Sequence, residues 1–465
     1  MRIVMKFGGA SLADGEKIKH VANLVKGFID EGNEICVVVS AMFGVTDRLE
    51  EIERVASEEN KTSKVTEFIS DLTDQHHRVA EAAINRKKIQ KEVLDEIDAR
   101  LDELEKALIG ICHLGELTER SMDYIASSGE RLSAPIMSGA LRSLGVDSVS
   151  LIGGEAGILT DDKYGDARPL DIAEDTVKRR ISPLLKKKIT PVVTGYIGEN
   201  ENRIITTLGR GGSDYTATII GAGIEADEIW LWKETEGIMT TDPKIVTEAK
   251  RVPSISYIEA MELSFFGAKI LHPSALEPAM RKVVPVRVKN TFSPKDPGTI
   301  ITGEPGQKKD VVKAITIIKK VALINISGPG LVGSPKVSAR VFSILAEESV
   351  DIIIISQGSS ERNISLVIDG PHLKKAIKAL KREFDKAVIK DITYEKNVCA
   401  LAVVGMGMAG VPGVAGRIFT ALGKQEINII MISQGSSEHN ISLVINSKDS
   451  QKALKTLHDE FSLGE

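Results

Sequence analysis

The sequence predicts an α/β chain: a mostly parallel sheet with helices on both faces, followed by two copies of a smaller αβ unit. Two observations carry this. Over the first 300 residues short apolar runs alternate with helical periodicity, as in a sheet buried on both faces. Over the last third one unit is written twice. At 465 residues the chain also exceeds the size at which a single core keeps growing, so two or three domains are expected.

The strand candidates of the first part are Ile3 to Phe7, Ile35 to Ser40, Val146 to Leu151, Thr190 to Gly195, Ile204 to Thr207, Glu228 to Trp232 and Val284 to Val288. A charged stretch from about Glu50 to Ile111 interrupts the alternation and reads as a solvated helical hairpin, a lid or subunit-contact insert. The polar, Gly- and Pro-containing segment 303–312 reads as a linker after a first domain over 1–302.

Beyond it, Ile355 to Ile368 (ISQGSSERNISLVI) and Ile432 to Ile445 (ISQGSSEHNISLVI) differ at one position of fourteen, with an offset of 77 residues. The offset also pairs Gly328 with Gly405, Pro335 with Pro412, Arg340 with Arg417 and Phe342 with Phe419. In each copy (313–394 and 395–465) a strand (Ala322 to Ile326; Ala400 to Val404) leads to a Gly-rich turn and a helix. Two strands and a further helix follow, in copy one Val350 to Ser356, Asn363 to Ile368 and Leu373 to Phe384. The order βαββα resembles the ACT domain, a ferredoxin-like amino-acid sensor; the alternative is a module that only joins subunits.

Composition narrows the partners. Hydrophobic and charged residues make up 42% and 27%, and the net charge of -5 arises from interspersed signs. That argues against a nucleic-acid or anionic-membrane surface and for small molecules. Cys36, Cys112 and Cys399 are far apart with no CxxC, which predicts no disulfide framework, no zinc site and a reducing cytoplasm. The start is strand-like, without a charged leader, and no apolar run is long enough to span a membrane.

Three loops carry the chemistry. Lys6-Phe7-Gly8-Gly9-Ala10-Ser11 follows the first strand; its glycines let backbone N–H groups approach phosphate, and its lysine supplies a point charge. It is neither a P-loop nor a dinucleotide fingerprint. Thr207 to Asp214 (TLGRGGSD) again joins a strand to a helix. Ser213 or Asp214 could cap that helix, but Arg210 between glycines suits a carboxylate or phosphate. In Phe265 to Pro273 (FFGAKILHP) Lys269 stands alone among apolar residues and should meet an anion, while His272 before proline reads as structural.

In this order KFGGAS, SAMFGVTD, SSGERLSAP, TLGRGGSDYTA, WKETEGIMTTDP and SYIEAMELSFFGAKILHP, followed by two ACT-like units, resemble the aspartate kinases of the amino-acid kinase superfamily. The resemblance implies an αβα sandwich with a central mostly parallel sheet, then two ferredoxin-like βαββαβ ACT domains. It implies ATP-dependent phosphorylation of the aspartate side chain, the first step towards lysine, threonine and methionine. Lys6 and Lys269 would stabilise the transferring phosphoryl group, with Asp214 holding the lysines. Glu130 would bind the aspartate ammonium and Arg210 a carboxylate, with Ser40, Thr46 and Ser213 adding hydrogen bonds. Gly8, Gly9, Lys233, Glu234, Met239 and Lys244 would complete the nucleotide side. Mg²⁺ would enter with ATP, held by phosphates and water rather than by protein ligands. A carboxylate nucleophile is already ionised at neutral pH, so the transfer needs cations rather than a general base.

The sequence departs from the family pattern at Ala10, Phe43, Glu234, Glu236 and Lys244. Those departures keep two rivals in view, a weakly catalytic amino-acid-binding regulator and a kinase acting on glutamate or a related acid. Feedback by an amino acid is expected between ACT-like units, threonine favoured and lysine the alternative, at Asp351, Gln357, Asn428 and Gln434, in a dimer or tetramer formed through those units.

Overall fold

Strands that must be covered on both faces read as continuous apolar runs, and β1 (Arg2–Phe7) and β2 (Glu34–Val39) do so, each with five successive buried residues. They lie at the centre of the first sheet. The computed structural model describes residues 1–267, 271–303, 310–331, 334–358, 363–385 and 388–464. The chain divides into two units, Met1–Ile238 with Leu271–Glu304 and Met239–Ile270 with Pro305–Glu465.

In the first unit β3 (Ser148–Leu151), β4 (Thr190–Thr194), β2, β1, β7 (Glu228–Lys233), β9 (Val286–Asn290) and β10 (Thr299–Thr302) follow one another across the sheet. Every pair is parallel except β9 with β10. The predicted strand at Ile204 to Thr207 stands apart: β6 (Ile205–Thr207) pairs antiparallel with β5 (Ile197–Glu199) in a separate two-stranded ribbon. β10 and the short β8 (Ser254–Ser256) of the second unit were not foreseen. β1 has β2 on one side and β7 on the other, so the chain's strand order reverses around it. The carboxyl ends at such a point open a crevice.

The charged stretch is three helices rather than a hairpin, α2 (Val45–Glu59), α3 (Thr62–Ala83) and α4 (Lys87–Leu114). It is not a solvated lid. Leu49, Ile52, Leu72, Val93, Ile97, Leu101 and Leu108 are buried in the same core as α1 (Gly15–Asp30), β1 and β2. The apolar positions at helical spacing form a buried stripe, and the abundant charges lie on the opposite faces. α5 (Glu119–Ala126), α6 (Ser128–Ser143), α7 (Ala173–Lys186), α8 (Gly212–Gly223) and α10 (Glu277–Lys282) complete this unit, and α9 (Tyr257–Phe265) belongs to the other.

The second unit holds both repeat copies. Copy one contains α11 (Pro335–Glu347), β12 (Ile352–Gln357), β13 (Asn363–Asp369) and α12 (Leu373–Glu383). Copy two contains α13 (Val414–Lys424), β15 (Ile429–Gln434), β16 (Asn440–Asn446) and α14 (Ser450–Glu460). The expected first strands are halves of longer ones, β11 (Ala314–Ser327) and β14 (Asp391–Val404), which pair antiparallel at the centre of one six-stranded sheet, β12-β13-β11-β14-β16-β15. Val321 to Ser327 pairs with β13 and with the first half of β14, while Ala314 to Ile318 pairs with its second half. Copy one is therefore closed by the first half of β14, which begins at its own end, and copy two by Ala314 to Ile318 from the start of copy one, which covers an edge that an isolated copy two would expose.

Segment 239–270 is built into copy two. Ile245 and Val246 pack on its core, Ile315 donates its N–H to the Thr240 carbonyl (2.8 Å), and Thr240 Oγ1 lies 3.0 Å from His458 Nε2 on α14. Ser256 caps α9 in a reciprocal box with Glu259, a device worth about 1 kcal/mol. The other oxygen of Glu259 accepts from the Met406 N–H (2.7 Å), and Glu262 accepts from Asn440 Nδ2 (2.9 Å).

Candidate active site

A cavity of about 730 Å³ opens at the carboxyl ends of β1 and β2, lined by Lys6, Gly9, Ala10, Ser40, Phe43, Thr46, Glu130, Arg210, Ser213 and Asp214 among others. Six separate segments meet there. Gly9 has to lack a side chain, because a Cβ would stand 2.8 Å from the Ala41 carbonyl oxygen. The 40–44 loop is held from behind, its Ser40 carbonyl accepting from Ser133 Oγ on α6 (2.7 Å).

The glycine loop is fixed in two ways. Gly211 has φ 71°, and a Cβ would lie 2.5 Å from that of His272, which supports the structural reading of that histidine. Asp123, buried on α5, accepts from the Thr207 N–H (2.8 Å), from Thr207 Oγ1 (2.7 Å) and from the Gly165 N–H (2.9 Å). The capping alternative fails for Ser213 and Asp214: Gly211 is the N-cap of α8 and no side chain caps it. Thr46 is likewise inside α2, whose N-cap is Gly44.

Asp214 is the electrostatic centre. Its Oδ1 lies 2.7 Å from Lys6 Nζ and its Oδ2 2.7 Å from Lys233 Nζ. Burial pushes its carboxyl up, but Lys233 and Lys6 outweigh burial and hold it at about 2. Burial lowers the Lys6 pKa; Asp214 opposes that shift and Lys233 adds to it. Glu130 lines the same cavity as Lys6 and Asp214. It is 4% exposed and its Oε2 has no hydrogen-bond partner among the described residues. Burial raises its pKa to about 7 against hydrogen bonds from the Ala41 and Glu130 backbone and the attraction of Lys6. A buried carboxylate oxygen left without a partner is costly, so an incoming ammonium would be favoured there.

Of the residues singled out in the sequence, Lys6, Gly9, Ser40, Thr46, Glu130, Arg210, Ser213 and Asp214 converge on the cavity. Gly8 sits beside them, a Cβ there being 3.8 Å from Lys6 Nζ. Lys233 reaches Asp214, whereas the exposed Glu234 lines no part of the cavity. Met239 and Lys244 belong to the second unit, and Lys269 lies outside the described residues. Sequence reasoning missed Asp47, Glu50 and Tyr196 on the cavity wall and Asp123 behind it. Tyr196 has φ 67°, a conformation rare outside glycine that no local pattern signals.

Residues 1–290 match the amino acid kinase family, and residues 324–384 and 401–461 match an ACT domain family. Fold and cleft thus define an amino acid kinase carrying two ACT domains. Aspartokinase 1, chloroplastic, of Arabidopsis thaliana is 34% identical, covering 98% of this chain and 80% of that protein. Bifunctional aspartokinase/homoserine dehydrogenase 2, chloroplastic, of the same plant is 31% identical, and the match spans half of its length. The crystal structure of E. coli aspartokinase III in complex with aspartate and ADP (R-state) superposes with a TM-score of 0.83 at 26% identity, over 99% of this chain and 100% of that one. A second, in complex with lysine and aspartate (T-state), gives 0.82 at 26%, over 99% of each chain. The chain belongs to the aspartokinase family. Among the described residues no helix is long and apolar enough to cross a membrane.

Proposed function

We propose that the chain transfers the γ-phosphoryl group of ATP to the side-chain carboxylate of L-aspartate, giving 4-phospho-L-aspartate. The carrying observation is that one cavity is lined by groups of both signs, Lys6 and Arg210 together with Asp47, Glu50 and Glu130, one of whose oxygens has no hydrogen-bond partner among the described residues. A zwitterion, with an ammonium and carboxylates, fits a lining of both signs. In this reading Glu130 takes the ammonium, Arg210 grips a carboxylate in a fork geometry, and Ser40, Thr46 and Ser213 supply hydrogen bonds. The ionised side-chain carboxylate attacks the γ-phosphorus as the bond to the β-phosphate oxygen breaks, and ADP leaves with that electron pair. Lys6 neutralises charge on the transferring group, with Lys269 assigned the same role by resemblance. Gly8, Gly9, Lys233, Glu234, Met239 and Lys244 are assigned to the nucleotide on the same ground. Two lysines on one aspartate leave net positive charge, which fits a polyphosphate. Mg²⁺, carried on the phosphates, would shield the triphosphate from the approaching carboxylate.

Hydroxylamine trapping tests this. Aspartyl hydroxamate should form only with ATP, Mg²⁺ and L-aspartate, and should disappear in Lys6→Met and Lys269→Met; hydroxamate that survives both substitutions overturns the reading.

We further infer feedback by an amino acid bound at the repeat pair, near Asp351, Gln357, Asn428 and Gln434. Threonine is favoured by resemblance, and lysine stays the alternative, supported by the lysine-bound E. coli relative. Gln357 and Gln434 end the two edge strands, where Ser433 Oγ donates to the Ile355 carbonyl (3.2 Å). Ile355 and Ile432 are exposed beside them, an apolar strip suited to pairing between subunits of a dimer or tetramer.

A further inference from the structure

Asp214 holds its two lysines differently. Lys233 Nζ donates a well-directed hydrogen bond to Oδ2 at 2.7 Å. Lys6 Nζ stands equally close to the other oxygen, Oδ1, and unlike Lys233 it also lines the cavity. One carboxylate oxygen therefore balances the charge of Lys6, and a lysine ammonium has three donors, so others can serve a group bound in the cavity. The base of Lys233 is fixed as well, its carbonyl accepting from the Thr291 N–H (2.9 Å) and Thr291 Oγ1 (3.1 Å), with Thr291 Oγ1 in turn 2.8 Å from Ser11 Oγ. Lys233 does not line the cavity. It approaches Asp214 from the end of β7, and Lys6 from the end of β1.

We infer that Lys233 is a positioning residue for the phosphoryl transfer: by occupying one oxygen of Asp214 it limits Lys6 to the other, so that the remaining N–H groups of Lys6 stay available to the transferring phosphoryl. The inference rests on the role proposed for Lys6 and goes beyond placing Lys233 beside the nucleotide. Without Lys233, both oxygens of Asp214 become available to Lys6, and a directed ion pair there would compete with phosphate. Lys233 also keeps Lys6 less basic. The described groups whose charges act on Lys6 are Asp214 from α8, Lys233 from β7 and Glu130 from α6; burial and Lys233 lower its pKa, and the two carboxylates raise it. Removing the positive neighbour shifts the balance upward.

The test uses the full chain, comparing wild type, Lys233→Met and Lys233→Arg in the hydroxylamine assay from pH 6 to pH 10. Lys233→Met should lower kcat by about 10- to 100-fold, leave KM for aspartate within twofold, and move the alkaline limb of kcat to higher pH. Lys233→Arg, which keeps the cation and its hydrogen bond, should recover most of kcat and the wild-type limb. A Lys233→Met enzyme with unchanged kcat and limb, or one that only raises KM for ATP, overturns the inference. If Lys233→Met does not fold, a Lys233→Arg enzyme with a displaced limb or an equally low kcat overturns it. Wild type that yields no aspartyl hydroxamate would instead sink the proposed reaction itself.

Discussion

The cleft and the repeated pair follow opposite plans. In the cleft each charged group occurs once and arrives on its own element: Lys6 on β1, Glu130 on α6, Asp214 on α8. Burial leaves these groups few partners, so each exerts a field that water does not screen. In the pair nearly the same residues are used twice around apolar cores, and the ion pairs, Arg340 with Glu383 and Arg417 with Glu460, lie partly exposed, where they contribute little. The contrast separates a region that makes chemistry from one that makes a foldable, adjustable sensor. The two copies then differ at single positions. Met406 gives Glu259 an N–H; its counterpart 77 residues earlier is Pro329, which has none to give. Copy two alone thus holds α9 through this contact, as expected if duplication came first and division of labour followed.

The sharpest break of the contrast is in the cleft. Lys6→Met should lower kcat by about 10³-fold or more with a melting temperature near wild type, because Asp214 keeps Lys233. Asp214→Asn should lose comparable activity and also about 3 kcal/mol of stability, since it leaves two ammonium groups facing each other without an anion. Paired activity and thermal-denaturation measurements check both.

A second expectation concerns pH. With its pKa raised to about 7, Glu130 favours the folded state below the ordinary carboxyl range, and that contribution is lost as pH rises through 7. Ligand-free protein should therefore lose stability between about pH 5 and pH 8, and aspartate, by pairing with the ionised form, should restore it. KM for aspartate should fall as pH rises from 6 to 8, and Glu130→Gln should flatten that profile.

Smaller effects belong to the pair. Met406→Pro, which gives copy two the residue of copy one, should cost about 1 to 2 kcal/mol and weaken effector inhibition about tenfold, with basal kcat within twofold. Pro329→Ala should do neither. Smaller still, Gln434→Ala should raise the half-inhibitory effector concentration several-fold; if Gln357→Ala has the same effect, the copies share the sensing equally.

What the sequence made legible was local. Both glycine loops, the repeat and most of the strands stand in contiguous residues, and the structure has them where periodicity and turn chemistry place them. What escaped notice was non-local. The pairing of β11 with β14 joins residues about 80 positions apart, and no pattern within either strand announces it. Asp123 looked like any polar residue on an amphipathic helix until its carboxylate was found under the glycine loop. The turn of Lys233 towards Asp214 depends on two strand ends lying side by side, a matter of topology rather than motif.

The account turns on recognition of both ends of a zwitterion beside Lys6. The direct measurement is kcat/KM for hydroxamate formation from L-aspartate and from succinate, which lacks the ammonium, in wild type and in Glu130→Gln. Wild type should prefer aspartate by about 10²-fold or more, and Glu130→Gln should lose most of that preference. Succinate used as well as aspartate by the wild type, or a preference left intact by Glu130→Gln, would contradict it.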